Sequence, residues 1–376
     1  MEVTRIFDLL PRYKNEFKPK DDALAGKEDG KWVKYSIEQY IEIANFISYA
    51  FIKLGVKKGD KIATITQNRP EWNFLDSGIL QVGAVHVPIY PTISESDYKY
   101  ILSHAEVKYV FVSGKELLQK IEHILPEIPS IQGIYTFNPI DNVSHLNDLV
   151  NFGKENKAEA ELEKKKALIT SDDIATLIYT SGTTGNPKGV VLTHNNILSN
   201  VMAVHHLFPV DDTCKCLSYL PVSHVYERTN LYIYQYLGVS VYYAENMATI
   251  ADNLKEIKAE MLTTVPRLLE KVYDKIIAKG WKLNGIKKSI FFWAVNLGLK
   301  YDIEGKSFIY KLQLKLANKL VFSKWREGLG GNIRVIVSVD LHLQPRLSRI
   351  FTAAQIPVLE GYGLTETSPI IAVNSF

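Results

Sequence analysis

The segment IYTSGTTGNPKGVVLTH, at residues 178–194, places many hydrogen-bond donors close together in the chain. Its glycines allow the backbone to approach a ligand closely and to turn several N–H groups toward it. Hydroxyl side chains and one mobile positive charge add further donors, which suits an anion with many oxygen atoms. The sequence therefore predicts a polyphosphate-binding loop. Its residues are Thr180, Ser181, Gly182, Thr183, Thr184, Gly185, Lys188 and Gly189.

A second segment, EGYGLTETSP at residues 360–369, offers different chemistry. Tyr362 lies between Gly361 and Gly363, so its aromatic face can pack flat against a planar ligand while the backbone stays close. The carboxylate of Glu366 could hold a magnesium ion that bridges phosphates. Together the two segments predict a nucleoside triphosphate as the ligand.

The first segment does not match the P-loop pattern that binds phosphates in many nucleotide-binding proteins. In G-x-x-x-x-G-K-[ST] the lysine follows glycine and precedes serine or threonine, whereas Lys188 lies between Pro187 and Gly189. The GYG of the second segment lacks the third glycine and the spacing of a dinucleotide-binding fingerprint. Both of these nucleotide-binding classes are therefore excluded.

The elements that must position these segments follow from the hydrophobic pattern. From Lys61 onward, β-rich runs such as KIATITQ and VHVPIY alternate with helical patterns. Strict alternation predicts an α/β fold with mostly parallel sheets covered by helices. We expect two doubly wound lobes, residues 1–170 and 171–376, with the charged segment 154–166 near their boundary. The first motif reads as a strand, a loop and a helix that opens at Thr193.

Several loops follow predicted strands and should meet at one crevice. In open parallel sheets, ligands bind outside the carboxyl ends of the strands. The segment PVSHVYER contributes Ser223 and His224 to this set. We therefore expect the two motifs to share one mouth at the strand ends. The loops are residues 180–188, 221–228, 263–267, 338–342 and 360–369.

Composition and charge limit the classes of partner and compartment. A net charge of +3 over 376 residues gives no support for nucleic-acid binding. Cys214 and Cys216 are too close together to brace a fold, which favours a reducing compartment. The N-terminal MEVTRIFDLLPRYK lacks the order of a signal peptide, and no apolar run approaches the roughly 18 to 20 residues that span a bilayer. We expect a cytoplasmic protein.

Residues 281–326 interrupt the alternation with a helical, aromatic and basic insertion. This segment contains ten basic residues against two acidic ones, for a net charge of +8. One interpretation is an amphipathic helical insertion whose lysines face water. The other is peripheral contact with an anionic membrane.

Taken together, the motifs resemble a known family. YTSGTTGNPKGVVLTH and EGYGLTETSP are similar to the signature motifs of the adenylate-forming enzymes, which include acyl-CoA synthetases and luciferases. SYLPVSHVYER, TTVPRLLEKVYDKI and VPIYPT resemble the long-chain fatty acid–CoA ligase branch. The resemblance covers nearly the whole chain. It implies that a fatty acid carboxylate attacks the α-phosphate of Mg²⁺-bound ATP, and that coenzyme A then displaces AMP to form a thioester.

The resemblance also implies roles for individual residues. Residues 180–188 would hold the β- and γ-phosphates, with Lys188 among the catalytic groups. Tyr362 would stack on adenine, while Thr365 would reach the α-phosphate and Glu366 would hold Mg²⁺. His224 would lie beside the path of the acyl carboxylate. The remaining residues implied to bind nucleotide or substrate are Gly361, which forms part of the pocket wall, and Gly363.

Two departures from the family pattern affect the expected activity. The resemblance implies a continuation into a ribose-binding aspartate and a mobile C-terminal domain that carries a catalytic lysine, whereas this chain stops at Phe376. The family usually has Gly-Gly-Ala at the adenine wall, where this chain has Val339, Asp340 and Leu341. Side chains there would occupy the place of the purine ring. We expect weak or absent ATP binding and an impaired full reaction.

The same departures allow an alternative interpretation, in which the fold is an engineered scaffold with a rebuilt site. Asp340 and His342 would face the crevice that also contains Ser223 and His224. A serine, a histidine and a carboxylate within hydrogen-bond reach could form a hydrolase-like site. Alternatively, His224, Asp340 and His342 could bind a metal or another ligand.

Overall fold

A computed structural model describes residues 2–181, 185–302, 306–339 and 343–375. The chain forms two compact units. Unit 1 comprises Met1–His205, Leu220–Tyr243 and Thr365–Pro369. Unit 2 comprises His206–Tyr219, Ala244–Leu364 and Ile370–Phe376. Both units are discontinuous in sequence, because the chain passes between them more than once.

The strands, in chain order, are β1 (Leu24–Glu28), β2 (Lys31–Tyr35), β3 (Lys61–Ile65), β4 (Val85–Ile89), β5 (Val107–Val112), β6 (Gly133–Thr136), β7 (Ile174–Thr180), β8 (Lys188–Thr193), β9 (Lys215–Ser218), β10 (Ser240–Tyr243), β11 (Met261–Thr264), β12 (Val335–Val339), β13 (Val358–Gly363) and β14 (Ile370–Val373).

The α-helices are α1 (Leu9–Glu16), α2 (Ile37–Lys53), α3 (Pro70–Gln81), α4 (Glu95–His104), α5 (Lys115–Ile121), α6 (Leu146–Glu155), α7 (Glu159–Ala167), α8 (His194–Val204), α9 (Val225–Leu237), α10 (Ile250–Ile257), α11 (Pro266–Trp281), α12 (Gly285–Leu299), α13 (Phe308–Ala317), α14 (Ser323–Gly328) and α15 (Pro345–Ala353). A π-helical turn, Asn318–Phe322, joins α13 to α14, and Thr365–Thr367 forms a 3₁₀ turn.

Unit 1 contains a six-stranded sheet in the order β6-β5-β3-β4-β7-β8. Its neighbours are parallel except for the antiparallel pair β7–β8. The central strands are buried on both faces, as Ile65, Val87 and Val110 illustrate, and α4 packs against them through Tyr98 and Leu102. In the same unit β1 pairs with β10 in parallel and with β2 in antiparallel orientation.

In unit 2, β13, β12, β11 and β9 follow one another as parallel neighbours, and β14 adds an antiparallel edge beside β13. The prediction of an α/β fold with mostly parallel sheets is therefore confirmed.

The two units divide the chain differently from the predicted lobes 1–170 and 171–376. β7 pairs with β4, and the segment up to His205 belongs to unit 1 together with the first strands. The charged segment 154–166 contributes to α6 and α7, where Leu162 is buried against unit 1. A charged composition therefore marks a solvated helix here and not a boundary.

In the first motif a second strand, β8, lies between β7 and the helix, which the prediction of a strand, a loop and a helix did not include. Lys188 pairs with Thr180, and Gly189 pairs with Tyr179, so the lysine already begins β8. Residues 190–192 are apolar and begin with two β-branched valines, which favours this additional strand. The helix does open at Thr193, whose Oγ1 accepts the N–H of Asn196 at 3.1 Å.

The insertion at residues 281–326 is mostly helical in its described parts, as predicted, and contributes the end of α11, α12, α13, the π turn and the start of α14. Across the described ranges of the chain, no helix has the length and apolar character needed to cross a membrane.

Candidate functional site

A cavity of about 460 Å³ in unit 1 lies at the carboxyl ends of β4 and β7. These strands are parallel neighbours, so their ends lie on the same edge of the sheet. The cavity brings together parts of the chain that are far apart in sequence. Its lining includes Tyr90, Asp97, Tyr179, Thr180, Ser181, Pro187, His224 and Thr365.

The hairpin β7–β8 supplies the first group of polar side chains. Thr180 ends β7, Ser181 follows it, and the exposed Lys188 lies opposite Thr180 at the start of β8. Gly189 lies against the ring of Tyr179, where an added Cβ would come within 3.1 Å of a ring carbon. Gly185 has a φ of +152°, a conformation that side chains rarely adopt. The backbone conformation thus favours glycine at position 185, whereas at position 189 a side chain would crowd the ring of Tyr179.

His224 lies at the N-cap of α9 and lines the cavity. Its Nδ1 accepts the N–H of Tyr226 at 3.2 Å. A neutral imidazole with an acceptor at Nδ1 carries its proton on Nε2 and can donate it to a ligand oxygen. The centroids of the Tyr90 and His224 rings lie 6.5 Å apart, with the rings in an edge-to-face orientation.

Thr365 brings the second motif to the same cavity. Its 3₁₀ turn packs against β8 within unit 1. The next residue, Glu366, is exposed. The structure thus gathers Thr180, Ser181, His224 and Thr365 around one space, as the strand-end rule predicts.

The aromatic part of the second motif belongs to unit 2. Gly361, Tyr362 and Gly363 lie on β13, and Tyr362 is 60% exposed. Gly361 pairs with Val339, which ends β12 and is buried. An exposed ring between two glycines remains suited to stacking on a planar group.

Some predicted residues lie outside the described residues, so their proposed roles stay predictions. They are Gly182, Thr183 and Thr184 of the first motif, and Asp340, Leu341 and His342 after β12.

The alternative rebuilt site receives no support from its described members. Ser223 is buried, and its Oγ has no hydrogen-bond partner within the part of the chain that the structure covers. It therefore does not form the hydrogen bond to His224 that a nucleophile–base pair needs. No group of three or more metal-binding side chains occurs among the described residues. The alternative remains a prediction, because Asp340 and His342 lie outside that part.

The donor set of the cavity fits a phosphate group. Three hydroxyls and one imidazole can donate to phosphate oxygens, and the nearby Lys188 can add a charge-assisted hydrogen bond. Magnesium in nucleotide sites takes few protein carboxylates and completes its shell with phosphates and water. The exposed carboxylate of Glu366, beside Thr365, is consistent with this coordination preference.

Two lining residues, Tyr90 and Tyr179, were not singled out as site residues from the sequence. The Tyr179 hydroxyl lies 2.7 Å from Nδ1 of His104, and burial raises the pKa of Tyr179 to about 12. The phenol is therefore neutral at ordinary pH. Both tyrosines follow the apolar core of a parallel strand, so the strand-end rule could have found them.

Unit 2 contains a larger, mostly apolar cavity of about 560 Å³. Its apolar lining includes Leu254, Leu262 and Trp325. Lysines occur around it, and three of them follow one another along one face of α11. They are Lys255, Lys271, Lys275, Lys279 and Lys324.

Comparison with known proteins decides the family. The sequence profile of the AMP-binding enzymes matches residues 12–375. The chain belongs to the AMP-binding enzyme family. It is 32% identical over 359 residues to long chain acyl-CoA synthetase 6, peroxisomal, of Arabidopsis thaliana, covering 92% of this chain and 49% of that protein. It is 31% identical over 364 residues to long-chain-fatty-acid–CoA ligase ACSBG2 of Homo sapiens, covering 92% and 54%.

Two solved structures share the fold of this chain. A long-chain-fatty-acid-CoA ligase, FadD1 from Archaeoglobus fulgidus, aligns with a TM-score of 0.74 at 16% identity, covering 100% of this chain and 66% of that one. The inhibitor-bound N-terminal domain of FACL13 from Mycobacterium tuberculosis aligns with a TM-score of 0.71 at 20% identity, covering 97% and 77%. This AMP-binding chain spans about half the length of the curated relatives it matches.

Proposed function

We propose that this chain binds a fatty acid and ATP and takes part in acyl adenylation. In that reaction a carboxylate oxygen of the fatty acid forms a bond to the α-phosphorus of ATP. The bond between the α-phosphorus and the bridging oxygen breaks, and pyrophosphate leaves with that oxygen. The products are an acyl adenylate and pyrophosphate. The observation that supports this proposal is that Thr180, Ser181, His224 and Thr365 line the same cavity.

The polar residues of the cavity would bind the phosphates and stabilise their charge. Thr180 and Ser181 would donate hydrogen bonds to the β- and γ-phosphates. The ammonium group of Lys188 would stabilise the negative charge of the departing pyrophosphate. Thr365 would donate to the α-phosphate. His224 would orient the fatty acid carboxylate by donating from Nε2. Tyr362 would stack on adenine, with Gly361 and Gly363 leaving room for it.

Magnesium fits this arrangement as a partner of the nucleotide. Glu366 would hold the ion, which would neutralise part of the phosphate charge.

The apolar cavity of unit 2 supports an acyl substrate. A volume of about 560 Å³ lies within the range for small-molecule sites, and its mostly apolar lining matches a hydrocarbon chain. Thioester formation with coenzyme A is a further proposal for the whole protein. It follows from the names of the longer relatives.

Titration calorimetry with Mg·ATP tests the nucleotide site in two chains. One is the present chain, and the other carries Val339→Gly, Asp340→Gly and Leu341→Ala. We expect weak binding by the first and stronger binding by the second, because the three substitutions remove side chains from the proposed adenine wall. In the variant that binds more tightly, Lys188→Ala should weaken affinity roughly ten- to hundredfold. Lys115→Ala, at another exposed lysine of unit 1, is the control and should bind as before.

The outcomes separate the two parts of this proposal. Ordinary micromolar binding by the present chain (about −8 kcal/mol) would show that the adenine wall is open. Absence of Mg·ATP binding in both chains would reject the proposed function. Fatty-acid-dependent exchange between ATP and pyrophosphate would extend the result from binding to catalysis.

We also propose that residues 281–326 make peripheral contact with a membrane. The support is the net charge of +8 in this segment together with its exposed apolar side chains.

A further inference from the structure

Helix α13 in unit 2 exposes large apolar side chains on one face. Phe308 is 81% exposed and Leu312 is 61% exposed, although both are side chains that usually pack inside a protein. Positions four apart along a helix lie on one face, so these side chains form a continuous line. We call it the apolar stripe. It consists of Phe308, Ile309, Leu312, Leu316 and, in the π turn, Leu320.

The packing of α13 inside unit 2 uses its opposite face. The Tyr310 hydroxyl donates to the carbonyl of Leu297 at 2.9 Å, which ties α13 to α12. Ala317 is buried, and the Asn318 amide donates to the carbonyl of Ala353 at 2.8 Å. The helix is therefore held without help from the apolar stripe.

A row of lysines accompanies the apolar stripe. Lys311, Lys315 and Lys319 follow one another at intervals of four residues, and all three are exposed. No acidic residue occurs between positions 306 and 326. Within the described ranges, no ion pair joins this lysine row to a carboxylate. The outer face of α13 thus combines hydrocarbon with unopposed positive charge.

This combination matches an anionic membrane better than a second copy of the chain. An interfacial helix buries its apolar face among lipid chains, while lysines extend along their stems to the headgroups. Anionic headgroups attract such lysines. In a symmetric dimer through the apolar stripe, two identical lysine rows would flank the contact and repel each other.

We propose that the apolar stripe and the lysine row of α13 dock on the surface of an anionic membrane. This inference specifies the face and the lipid charge for the membrane contact proposed for residues 281–326. It requires no nucleotide binding, so its failure would be independent of failure at the nucleotide site.

Vesicle flotation with the 376-residue chain tests the docking. The probes are vesicles of phosphatidylcholine alone and of phosphatidylcholine mixed equally with phosphatidylserine. We expect binding to the mixed vesicles, much weaker binding to the neutral ones, and loss of binding as salt is raised. The variant Lys311→Gln/Lys315→Gln/Lys319→Gln should bind mixed vesicles about a hundredfold more weakly. The variant Leu312→Gln/Leu316→Gln should bind them at least about tenfold more weakly.

Matched controls lie on unit 1. Lys57→Gln/Lys115→Gln/Lys164→Gln makes the same change in charge at three exposed lysines. Phe152→Gln/Leu168→Gln removes two other exposed apolar side chains. Both controls should float with the mixed vesicles as the unchanged chain does.

Three results would overturn the proposal. First, the unchanged chain could fail to float with mixed vesicles. This result does not depend on whether any variant folds. Second, the unchanged chain could bind neutral and anionic vesicles equally. Finally, sedimentation could show self-association that Leu312→Gln/Leu316→Gln abolishes, without vesicle binding, which would assign the apolar stripe to a second copy of the chain.

Discussion

The centre of unit 1 and the outer face of α13 in unit 2 depart from the usual distribution of side chains in opposite directions. Unit 1 buries charged groups completely, whereas α13 exposes large apolar groups. Asp76, His86 and Arg228 are all almost inaccessible to water. Burial of a charge is costly unless partners compensate it, whereas exposure of a leucine costs little. The two regions therefore have different consequences for stability.

In unit 1, hydrogen bonds compensate the buried charges. Asp76 accepts from Arg228 at 2.5 Å, from the Tyr232 hydroxyl at 2.6 Å and from Nδ1 of His86 at 2.6 Å. Nε2 of His86 lies 2.8 Å from the hydroxyl of Thr64. With its proton on Nδ1, a neutral His86 donates to Asp76 and accepts from Thr64. Opposite charges and hydrogen bonds thus satisfy this network together.

The network also connects the elements around the candidate site. Asp76 lies on α3 and His86 on β4, while Arg228 lies one turn after His224 on α9. The N–H of Arg228 donates to the carbonyl of His224 at 3.2 Å. A buried ion pair at this point fixes the start of α9, and hence the backbone of His224.

Side chains in unusual surroundings therefore have different consequences in the two units. In the network, removal of one partner leaves an uncompensated charge. On α13, removal of an apolar side chain leaves the packing of the unit intact, and a cost arises only where that face meets a partner.

The largest expected effect comes from breaking the network. Asp76→Ala should lower the free energy of unfolding by about 3–5 kcal/mol, because it leaves Arg228 buried without a counter-charge. Chemical denaturation measures this change. Asp21→Ala removes the exposed ion pair with Lys34 and should leave the free energy of unfolding almost unchanged. If the two variants unfold with similar free energies, Asp76 does not supply the counter-charge that stabilises the buried Arg228.

A second expected effect is loss of stability in mild acid. Burial lowers the pKa of His86 from 6.5 to about 4, and it lowers the pKa of His194 to about 4 as well. Between these values the unfolded chain binds more protons than the folded chain, so stability is complete above pH 6.5 and falls as the pH approaches 4. The loss should reach up to about 3 kcal/mol for each histidine.

Denaturation curves at several pH values test this expectation. Nδ1 of His194 accepts the N–H of Ile6 at 3.2 Å, a contact that a glutamine oxygen could also make. His194→Gln should therefore reduce the slope of stability against pH by about half. A free energy of unfolding that does not change between pH 6.5 and 4 would contradict the neutral state of these histidines.

The smallest expected effect on stability comes from α13. Leu312→Gln/Leu316→Gln should change the free energy of unfolding by less than about 1 kcal/mol, because both side chains are exposed. Thermal or chemical unfolding without lipid measures this change. A large destabilisation would mean that the apolar stripe supports the fold, and the contrast with unit 1 would then disappear.

The local features of this protein can be predicted from its amino-acid sequence. The alternation of β-rich and helical runs predicted the α/β fold with mostly parallel sheets, and the hydroxyl, glycine and aromatic motifs indicated the AMP-binding family. Thr193 as a helix cap followed from residue type and position. These features depend on periodicity or on neighbouring residues, so they can be read along the chain.

Contacts between residues that are distant in sequence became visible only in the folded chain. The tertiary structure assigned Lys188 to a strand opposite Thr180, and it placed Thr365 at a cavity with His224. It also joined Asp76 to Arg228 and left Leu312 in solvent. Helical periodicity gives the spacing of apolar residues on α13 but not which face is covered. Burial and charge pairing depend on neighbours that other segments supply, and one-dimensional patterns do not contain that information.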